Sequence, residues 1–328
     1  MKERENKFYK ISDKVAFGGL TELSEDAINL RVRQISENFR LHTDHHYNDS
    51  LKIINIASKK IKIKPKLITK LYYNINLKFL ESDKTHKFDT IYNQMGNIVN
   101  QLEFIPDDWH LQICCNPSLS DFQSDNFLLF KKKIKIAFNI EKIFIETFPN
   151  WENNTKKIIK NKLVDGSVFH YNILEHGVID KIFFAEKYIT ISPLGKSRSH
   201  EKNLNKKNGL SYSEYINKCK EIIGIKDDID LYIAYFKYKL LDNNFLYAIT
   251  SVNSLNNFQN LKIRLEKDTF SNEIYTKIEE LHNFFFNTLY REDPYGLKNF
   301  WVMLIKNRSR IKHNLLSKYI SSYKRGFI

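Results

Sequence analysis

Residues 40–73 decide the fold class of this chain: RLHTDHHYNDSLKIINIASKKIKIKPKLITKLYY. The stretch begins with the strand-like RLHTD and ends with the strand-like KLITKLYY. Between them, the apolar residues of SLKIINIASKKI recur at helical spacing. A strand, a helix and a second strand in succession are typical of two parallel strands joined by a crossover helix.

The same alternation continues along the chain. Further strands are predicted at KVAFGG, WHLQICCNP, EKIFIETF, GSVFHYNIL, YITISPLG and FLYAITSV. Helices are predicted at SEDAINLRVRQISENF, where Ser24 is a suitable N-cap, and at TIYNQMGNIVNQLEFI, NTKKIIKNKL, SYSEYINKCKEIIG and DDIDLYIAYFKYKLLDN. About eight such units predict an α/β fold, a closed (β/α)8 TIM-type barrel. A doubly wound open sheet is the alternative, but AFGGLTE lacks the spacing of a dinucleotide fingerprint.

The pattern changes after about residue 268. SNEIYTKIEELHNFFFNTLY and LKNFWVMLIKNRSRIKHNLLSKYISSY predict two helices without a strand between them. We therefore expect a barrel domain of residues 1–267 and a helical extension of residues 268–328 packed on the barrel. The last part of the extension is basic, with Lys306, Arg308, Arg310, Lys312, Lys318, Lys324 and Arg325. This basic face is either solvated or a surface for an anion or a protein partner.

Composition sets limits on function and location. The formal charge of +14 favours a small anionic substrate. The charge comes without a nucleic-acid-binding motif, so we expect no nucleic-acid partner. No run of 18 apolar residues is present and the N-terminus is charged, which predicts no membrane insertion and no signal peptide. Three cysteines are too few for a disulfide framework and indicate a reducing compartment, the cytoplasm.

Polar residues cluster where the predicted strands end, which is where barrel enzymes carry their working groups. The second strand and the residues after it, RLHTDHHYNDS, contain three histidines, two aspartates and a tyrosine. The candidates at the ends of the second to fifth strands are His42, Tyr47, Lys70, Cys115 and Glu146.

Six segments in the right order resemble the aldo-keto reductases over roughly residues 8–265. FRLHTDHHYNDS resembles the family segment that carries the catalytic tyrosine, and KLITKL the strand with the catalytic lysine. LQICCNP is similar to the fourth strand, FHYNILEHG to the sixth and YITISPLGKS to the seventh, which contacts the cofactor pyrophosphate. ITSVNSLNNFQNL is similar to the last strand and loop, which hold the adenosine phosphate.

The resemblance implies an NAD(P)H-dependent oxidoreductase that reduces a carbonyl. Tyr47 falls at the position of the proton donor and Lys70 at that of the lysine that lowers the pKa of the tyrosine. The basic surface would suit a phosphorylated or nucleotide-linked substrate, such as a sugar, and hence a place in carbohydrate metabolism.

The resemblance also implies a cofactor-binding set at the seventh and eighth strands. Its members are Ser192, Pro193, Leu194, Gly195, Lys196, Ser251 and Asn253. SVNSLNN contains no Arg or Lys where the family binds a 2′-phosphate, so the choice between NADP and NAD stays open.

Several family positions carry other residues here. His42 replaces the aspartate that pairs with the lysine, and Cys115 replaces the histidine that orients the substrate carbonyl. The positions that hold the nicotinamide correspond to Glu146, Thr147, Val168 and Ile191. Glu146 either places a negative charge where the amide of the nicotinamide would bind, or forms an ion pair with Lys70, which lies in another strand.

His42 has two interpretations, a core histidine hydrogen-bonded to a neighbour or a metal ligand. A zinc site would need His42, His45, His46 and Cys115 together. Adjacent residues of an extended segment point in opposite directions, so His45 and His46 would not reach one ion. We therefore predict no metal.

Two functions follow from these observations. The first is a reductase in which Tyr47 donates a proton and Lys70 tunes it. The second is a pseudoenzyme: a barrel that has lost hydride transfer and serves as a binding or scaffold subunit, or runs a non-redox chemistry. The altered residues favour the second function, and the retained Tyr47 and Lys70 favour the first.

Overall fold

Eight parallel strands form a closed barrel. The computed structural model describes residues 9–44, 47–72, 87–114, 118–146, 152–171, 186–191, 193–194, 212–267 and 270–288. The strands are β1 (Val15–Gly18), β2 (Arg40–Asp44), β3 (Leu67–Tyr72), β4 (Trp109–Cys114), β5 (Ile140–Glu146), β6 (Gly166–His170), β7 (Tyr188–Ile191) and β8 (Phe245–Ser251). Each strand pairs with the next, and β8 pairs with β1. The predicted (β/α)8 TIM-type barrel is confirmed.

Helices cover the outside of the barrel. They are α1 (Ile11–Lys14), α2 (Glu25–Ser36), α3 (Ser50–Ile61), α4 (Lys87–Leu102), α5 (Leu119–Gln123), α6 (Asp125–Phe138), α7 (Glu152–Lys160), α8 (Tyr212–Ile223), α9 (Asp228–Leu240), α10 (Leu255–Lys267) and α11 (Asn272–Thr288). None of the described helices is long and apolar enough to cross a membrane.

Local sequence signals set the ends of α2 and α3. Ser24 caps α2, because its side chain accepts a hydrogen bond from the backbone N–H of Ala27. The predicted helix SLKIINIASKKI coincides with α3, which ends where Lys62 adopts a left-handed conformation with φ of 57°.

Some element predictions were wrong. The helices α5 and α6 were not predicted, and α10 was interpreted as a loop. The helix predicted at TIYNQMGNIVNQLEFI begins and ends three residues earlier, as α4. Strand β3 ends at Tyr72, inside the predicted KLITKLYY, and only the expectation that Lys70 lies at the end of the strand is wrong.

Side chains of the barrel interior form a small apolar cluster separate from the main core. Its buried members are Ala16, Ile68, Phe144, Val168, Ile189, Tyr247 and Ile249. Residues two apart in a strand share a face. Lys70 and Glu146 therefore share the interior face with Ile68 and Phe144, nearer the carboxyl ends of the strands.

The opposite end of the barrel holds a buried polar network beside a cavity of about 220 Å³. Arg40 forms an ion pair with Asp108 and lies over the ring of Tyr247, 5.2 Å from its centroid. His110 lies 3.2 Å from Asp108 through Nε2 and 2.7 Å from the Tyr247 hydroxyl through Nδ1. Because these residues come from strands or strand starts around the barrel, the network ties β2, β4 and β8 together.

The first helix of the predicted extension, α11, packs on α9. The Tyr238 hydroxyl donates a 3.1 Å hydrogen bond to Glu279 Oε1, and the Tyr238 and Tyr275 rings lie 6.2 Å apart. The second predicted helix and its basic residues lie outside the described residues. The division into domains at residue 267 stays a prediction.

Candidate active site

A buried ion pair lies at the carboxyl end of the barrel. Lys70 Nζ in β3 lies 2.6 Å from Glu146 Oε2, the last residue of β5. Glu146 is only 1% exposed and Lys70 8%. Gln112, which lies between them in β4, donates a 3.1 Å hydrogen bond from Nε2 to the same carboxylate oxygen. Of the two alternatives for Glu146, the pairing with Lys70 is the one present.

Tyr47 lies in the turn that follows β2. Its backbone N–H donates to the carbonyl of Asp44 at 2.9 Å, and its own carbonyl accepts from Ser50 at the start of α3. Its ring is half-buried. Desolvation, followed by the carboxylate of Asp44, raises the pKa of Tyr47 to about 12, although Lys70 acts in the opposite direction and Glu146 adds to the rise. The phenol is therefore protonated throughout the physiological range.

His42 is buried in β2 next to Tyr47. The two rings lie 6.1 Å apart in an edge-on arrangement at 71°. Burial, with the charges of Lys70 and Arg31, lowers the pKa of His42 to about 3, so the imidazole is neutral. Its Nε2 has no hydrogen-bond partner. The hydrogen bond expected of a core histidine is therefore not made through Nε2.

Gly18, the last residue of β1, leaves room for the His42 ring. A Cβ at position 18 would lie 2.9 Å from His42 Nδ1. Such a contact is shorter than a side chain tolerates without movement, and the buried ring has little space to move. Glycine at this position therefore sets the placement of the imidazole.

Of the four residues that a zinc site would need, His42 is the one within the described residues. His45, His46 and Cys115 lie outside them. Among the described histidines, cysteines and acidic residues, no group of three is placed to hold a metal ion.

The cofactor-binding candidates are also described in part. Ser192, Gly195 and Lys196 lie outside the described residues. Pro193 is buried and Leu194 packs against the main core after β7. Ser251, at the end of β8, and Asn253 are exposed. Asn253 Oδ1 accepts a 2.7 Å hydrogen bond from Asn257 in α10.

The described replacements around the expected nicotinamide position are mostly apolar. Val168 is fully buried in β6, and Ile191 is half-buried at the end of β7. Thr147 lies outside the described residues. The Glu146 carboxylate forms an ion pair with Lys70 and accepts a hydrogen bond from Gln112.

Sequence reasoning missed Gln112 as a site residue. The signal was present, because Gln112 is a polar residue inside the apolar run WHLQIC and two residues from His110. That spacing placed both side chains on one face of β4.

The barrel is similar in fold to solved aldo-keto reductases. The structure is similar to aldo-keto reductase AKR11C1 from Bacillus halodurans in its holo form, with a TM-score of 0.60 and 14% identity over 82% of this chain and 91% of that chain. It is similar to MGS-M4, an aldo-keto reductase enzyme from a Medee basin deep-sea metagenome library, with a TM-score of 0.54 and 12% identity over 84% and 92% of the two chains. An aldo/keto reductase from Brucella melitensis gives a TM-score of 0.52 and 13% identity over 81% and 92%.

These likenesses establish the fold, and their identities are too low to carry the function of any one of those proteins to this chain. The sequence matches no family model and no curated protein.

Proposed function

We propose that the chain is an aldo-keto reductase-like oxidoreductase that reduces a carbonyl with NAD(P)H. The observation that carries this proposal is the buried Lys70–Glu146 pair, 2.6 Å between Nζ and Oε2, whose charges act on the pKa of Tyr47. A phenol needs a nearby cation when it gives up its proton. Glu146 and Gln112 hold Lys70 in the position from which its charge acts on Tyr47.

In this mechanism Tyr47 is the proton donor. The pKa of Tyr47, raised to about 12, keeps the phenol protonated at neutral pH but makes it a weaker acid, so proton transfer depends on the charge of Lys70, which acts to lower that pKa. Proton transfer leaves a phenolate, which the Lys70 ammonium stabilises. Reduced nicotinamide, when bound, supplies a hydride to the carbonyl carbon.

The described residues fit a nicotinamide dinucleotide at two places. Ile191, half-buried at the end of β7, offers an apolar surface to the ring. Ser251 and Asn253, exposed after β8, offer hydroxyl and amide groups to the adenosine end. Pro193 and Leu194 would support the pyrophosphate segment. The choice between NADP and NAD is left to measurement.

The net charge of +14 supports a small anionic substrate, and a phosphorylated or nucleotide-linked sugar has that chemistry. The thiols of Cys114 and Cys219 are both buried and outside any disulfide, which supports a place in the cytoplasm. The basic helices predicted after α11 would offer a surface to a protein partner.

A second candidate is a barrel without hydride transfer, acting in binding or in non-redox chemistry. The observation that favours it is the buried Glu146 carboxylate, with Val168 buried in β6, where the family resemblance would put neutral polar groups for the nicotinamide amide. Together they leave the amide without the neutral polar side chains that it pairs with in the family.

Calorimetry with NADPH and then NADH tests the proposal first. Micromolar binding supports a reductase, and no binding at millimolar cofactor supports the second candidate. Tyr47→Phe is the matched variant, because it removes only the hydroxyl. We expect it to abolish carbonyl reduction and to leave the cofactor affinity unchanged. Equal turnover in this variant would overturn the reductase proposal.

A further inference from the structure

The outer side of α6 carries exposed aliphatic side chains. Leu128, Leu129 and Ile136 are 46%, 51% and 87% exposed. The opposite side of the same helix packs into the main core through four buried residues, Phe127, Phe130, Ile134 and Phe138. Because α6 already buries a complete apolar face, the three exposed residues are not needed for its packing on the barrel. Aliphatic residues gathered on one exposed side of a helix mark an interaction surface.

Lysines alternate with these aliphatic residues along α6. Residues three and four apart are neighbours on a helix surface. Lys132 and Lys133 therefore lie between Leu129 and Ile136, and both lysines are exposed, as is Lys135. A helix with aliphatic side chains among lysines has the composition of one that lies at the interface between a membrane and water.

The end of α7 extends the cationic surface beyond α6. Lys131 Nζ donates a 3.0 Å hydrogen bond to the carbonyl oxygen of Leu163, which follows α7, so the two segments are adjacent. The exposed lysines of α7 and of the turn after it are Lys156, Lys157, Lys160 and Lys162. The outer side of α6 and these four lysines form the α6–α7 face. Asp125, in the first turn of α6, is the acidic residue of that helix.

We propose that the α6–α7 face binds the surface of an anionic lipid bilayer. The lysines attract the negatively charged headgroups. Leu128, Leu129 and Ile136 enter the boundary between the headgroups and the acyl chains. Binding of this kind places the barrel on the membrane surface and needs no spanning helix. The proposal is independent of carbonyl reduction, because it uses no residue of the candidate active site.

The composition of the face favours a bilayer over a protein partner. The exposed cations described in α6 and α7 are all lysines, and the exposed apolar residues are all aliphatic. Protein interfaces are instead enriched in arginine and aromatic residues and depleted in lysine. Lysine is a compact point charge that suits many diffuse headgroups, whereas bidentate recognition of one carboxylate or phosphate uses arginine. A second copy docked through the same face would bring lysines against lysines.

Sedimentation with lipid vesicles tests the proposal on the unmodified protein. We expect binding to phosphatidylcholine vesicles that contain about one third phosphatidylserine, at about 0.1 M salt, and no binding to phosphatidylcholine alone. The binding should weaken as the salt concentration rises, because salt screens the headgroup charge. Equal sedimentation with both kinds of vesicle, or none with either, would overturn the proposal.

Two double variants separate the contributions of charge and of aliphatic surface. Each lysine near an anionic surface contributes about fivefold to binding, so Lys132→Glu/Lys133→Glu should lower the partition coefficient at least about 25-fold. Leu129→Gln/Ile136→Gln removes aliphatic surface but keeps good helix formers, and it should lower the partition coefficient at least about tenfold. All four side chains are exposed, so we expect unchanged circular dichroism spectra.

Lys52→Glu/Lys60→Glu is the matched control. Both lysines are exposed on α3, and the change in net charge equals that of the lysine variant of α6. Because charges beyond the screening length contribute little, the control should keep the partition coefficient within about threefold of the unmodified protein. An equal loss in the control and in Lys132→Glu/Lys133→Glu would mean that binding follows the total charge, which would refute the role of this face.

Two further outcomes would assign the α6–α7 face to another occupant and refute the proposal. Self-association without vesicles that is lost in Leu129→Gln/Ile136→Gln would assign the face to a second copy of the chain. Binding of a polyglutamate peptide but not of anionic vesicles, with loss in Lys132→Glu/Lys133→Glu, would assign it to an acidic protein segment.

Discussion

Lys70 Nζ lies 2.6 Å from Glu146 Oε2 across the interior of the barrel, and the two residues come from strands on either side of β4. Gln112 of the intervening strand holds the same carboxylate oxygen. Thus three consecutive strands each contribute one polar side chain to a single buried contact. The carboxylate that pairs with the lysine comes from β5. In β2, His42 stands where the family resemblance would put an aspartate for that pairing.

Removing one partner of this ion pair should destabilise the protein strongly. In Lys70→Met the Glu146 carboxylate keeps its burial but loses its counter-ion, and we expect a loss of about 3–5 kcal/mol in the free energy of unfolding. The double variant Lys70→Met/Glu146→Leu removes both charges and should regain most of that loss. Denaturant unfolding of both variants measures this. A double variant that is no more stable than Lys70→Met would contradict the coupling.

Glu146→Gln should lower the pKa of Tyr47. The Glu146 carboxylate raises this pKa, so removing its charge leaves burial and Asp44 as the remaining effects that oppose Lys70. We expect a value below about 12. Ultraviolet titration of tyrosinate between about pH 9 and 13 measures it, as the difference between each protein and its Tyr47→Phe counterpart. An unchanged or higher pKa would show that Glu146 does not act on the phenol.

The stability should fall as the pH decreases below about 6.5, the unfolded pKa of histidine. The pKa of His42 is lowered to about 3 and that of His110 is also lowered, so the unfolded chain binds protons that the folded chain excludes. Their contribution is complete above the unfolded pKa and is lost as the pH falls toward the folded values. Each histidine adds up to about 1.4 kcal/mol per pH unit to the slope.

Unfolding midpoints of the unmodified protein and of His42→Gln at several pH values between about 7.5 and 4.5 check this. The variant should show a flatter dependence. A parallel dependence in both proteins would mean that His42 is not a neutral buried group.

Acidic conditions should in addition weaken the network at the amino ends of the strands. Burial raises the pKa of Asp108, but hydrogen bonds from His110 and Arg40 outweigh it and hold the pKa well below its usual range. The contribution of Asp108 is therefore present above the unfolded value of about 3.9 and is lost as the pH falls further. Asp108→Asn should remove this loss, which acid titration of the unfolding midpoint measures.

The barrel could be predicted from sequence because the strands are short apolar runs and the helix α3 has a clear apolar face. The helix α6 could not, because Leu128, Leu129 and Ile136 are exposed on its outer side and blur the helical pattern. An apolar residue on the surface is indistinguishable, in sequence, from one in the core.

The sequence identified Lys70 and Glu146, which form the buried ion pair, but it identified neither Gln112 nor the contacts of these residues. Strand ends identified Tyr47, Glu146 and Lys70, and the family spacing aligned them. Which partner each group takes depends on distances across the barrel, which the sequence does not contain. Hence the sequence left the ion pair of Glu146 with Lys70 as one of two alternatives. It did not predict that Nε2 of His42 would lack a hydrogen-bond partner.

Gly18→Ala should destabilise the protein and disturb the site together. The added Cβ would lie 2.9 Å from His42 Nδ1 and 3.5 Å from the His42 carbonyl oxygen, so the imidazole must move within a packed interior. We expect a loss of about 1–3 kcal/mol in the free energy of unfolding, with a lower kcat/KM for the reduction of 4-nitrobenzaldehyde with NADPH.

Gly96→Ala is the matched control, because a Cβ at Gly96 meets no atom within 4 Å and alanine favours the helix α4. It should stabilise the protein by about 0.5–1 kcal/mol and leave turnover unchanged. Equal stability of the two variants would show that Gly18 does not set the position of the His42 ring.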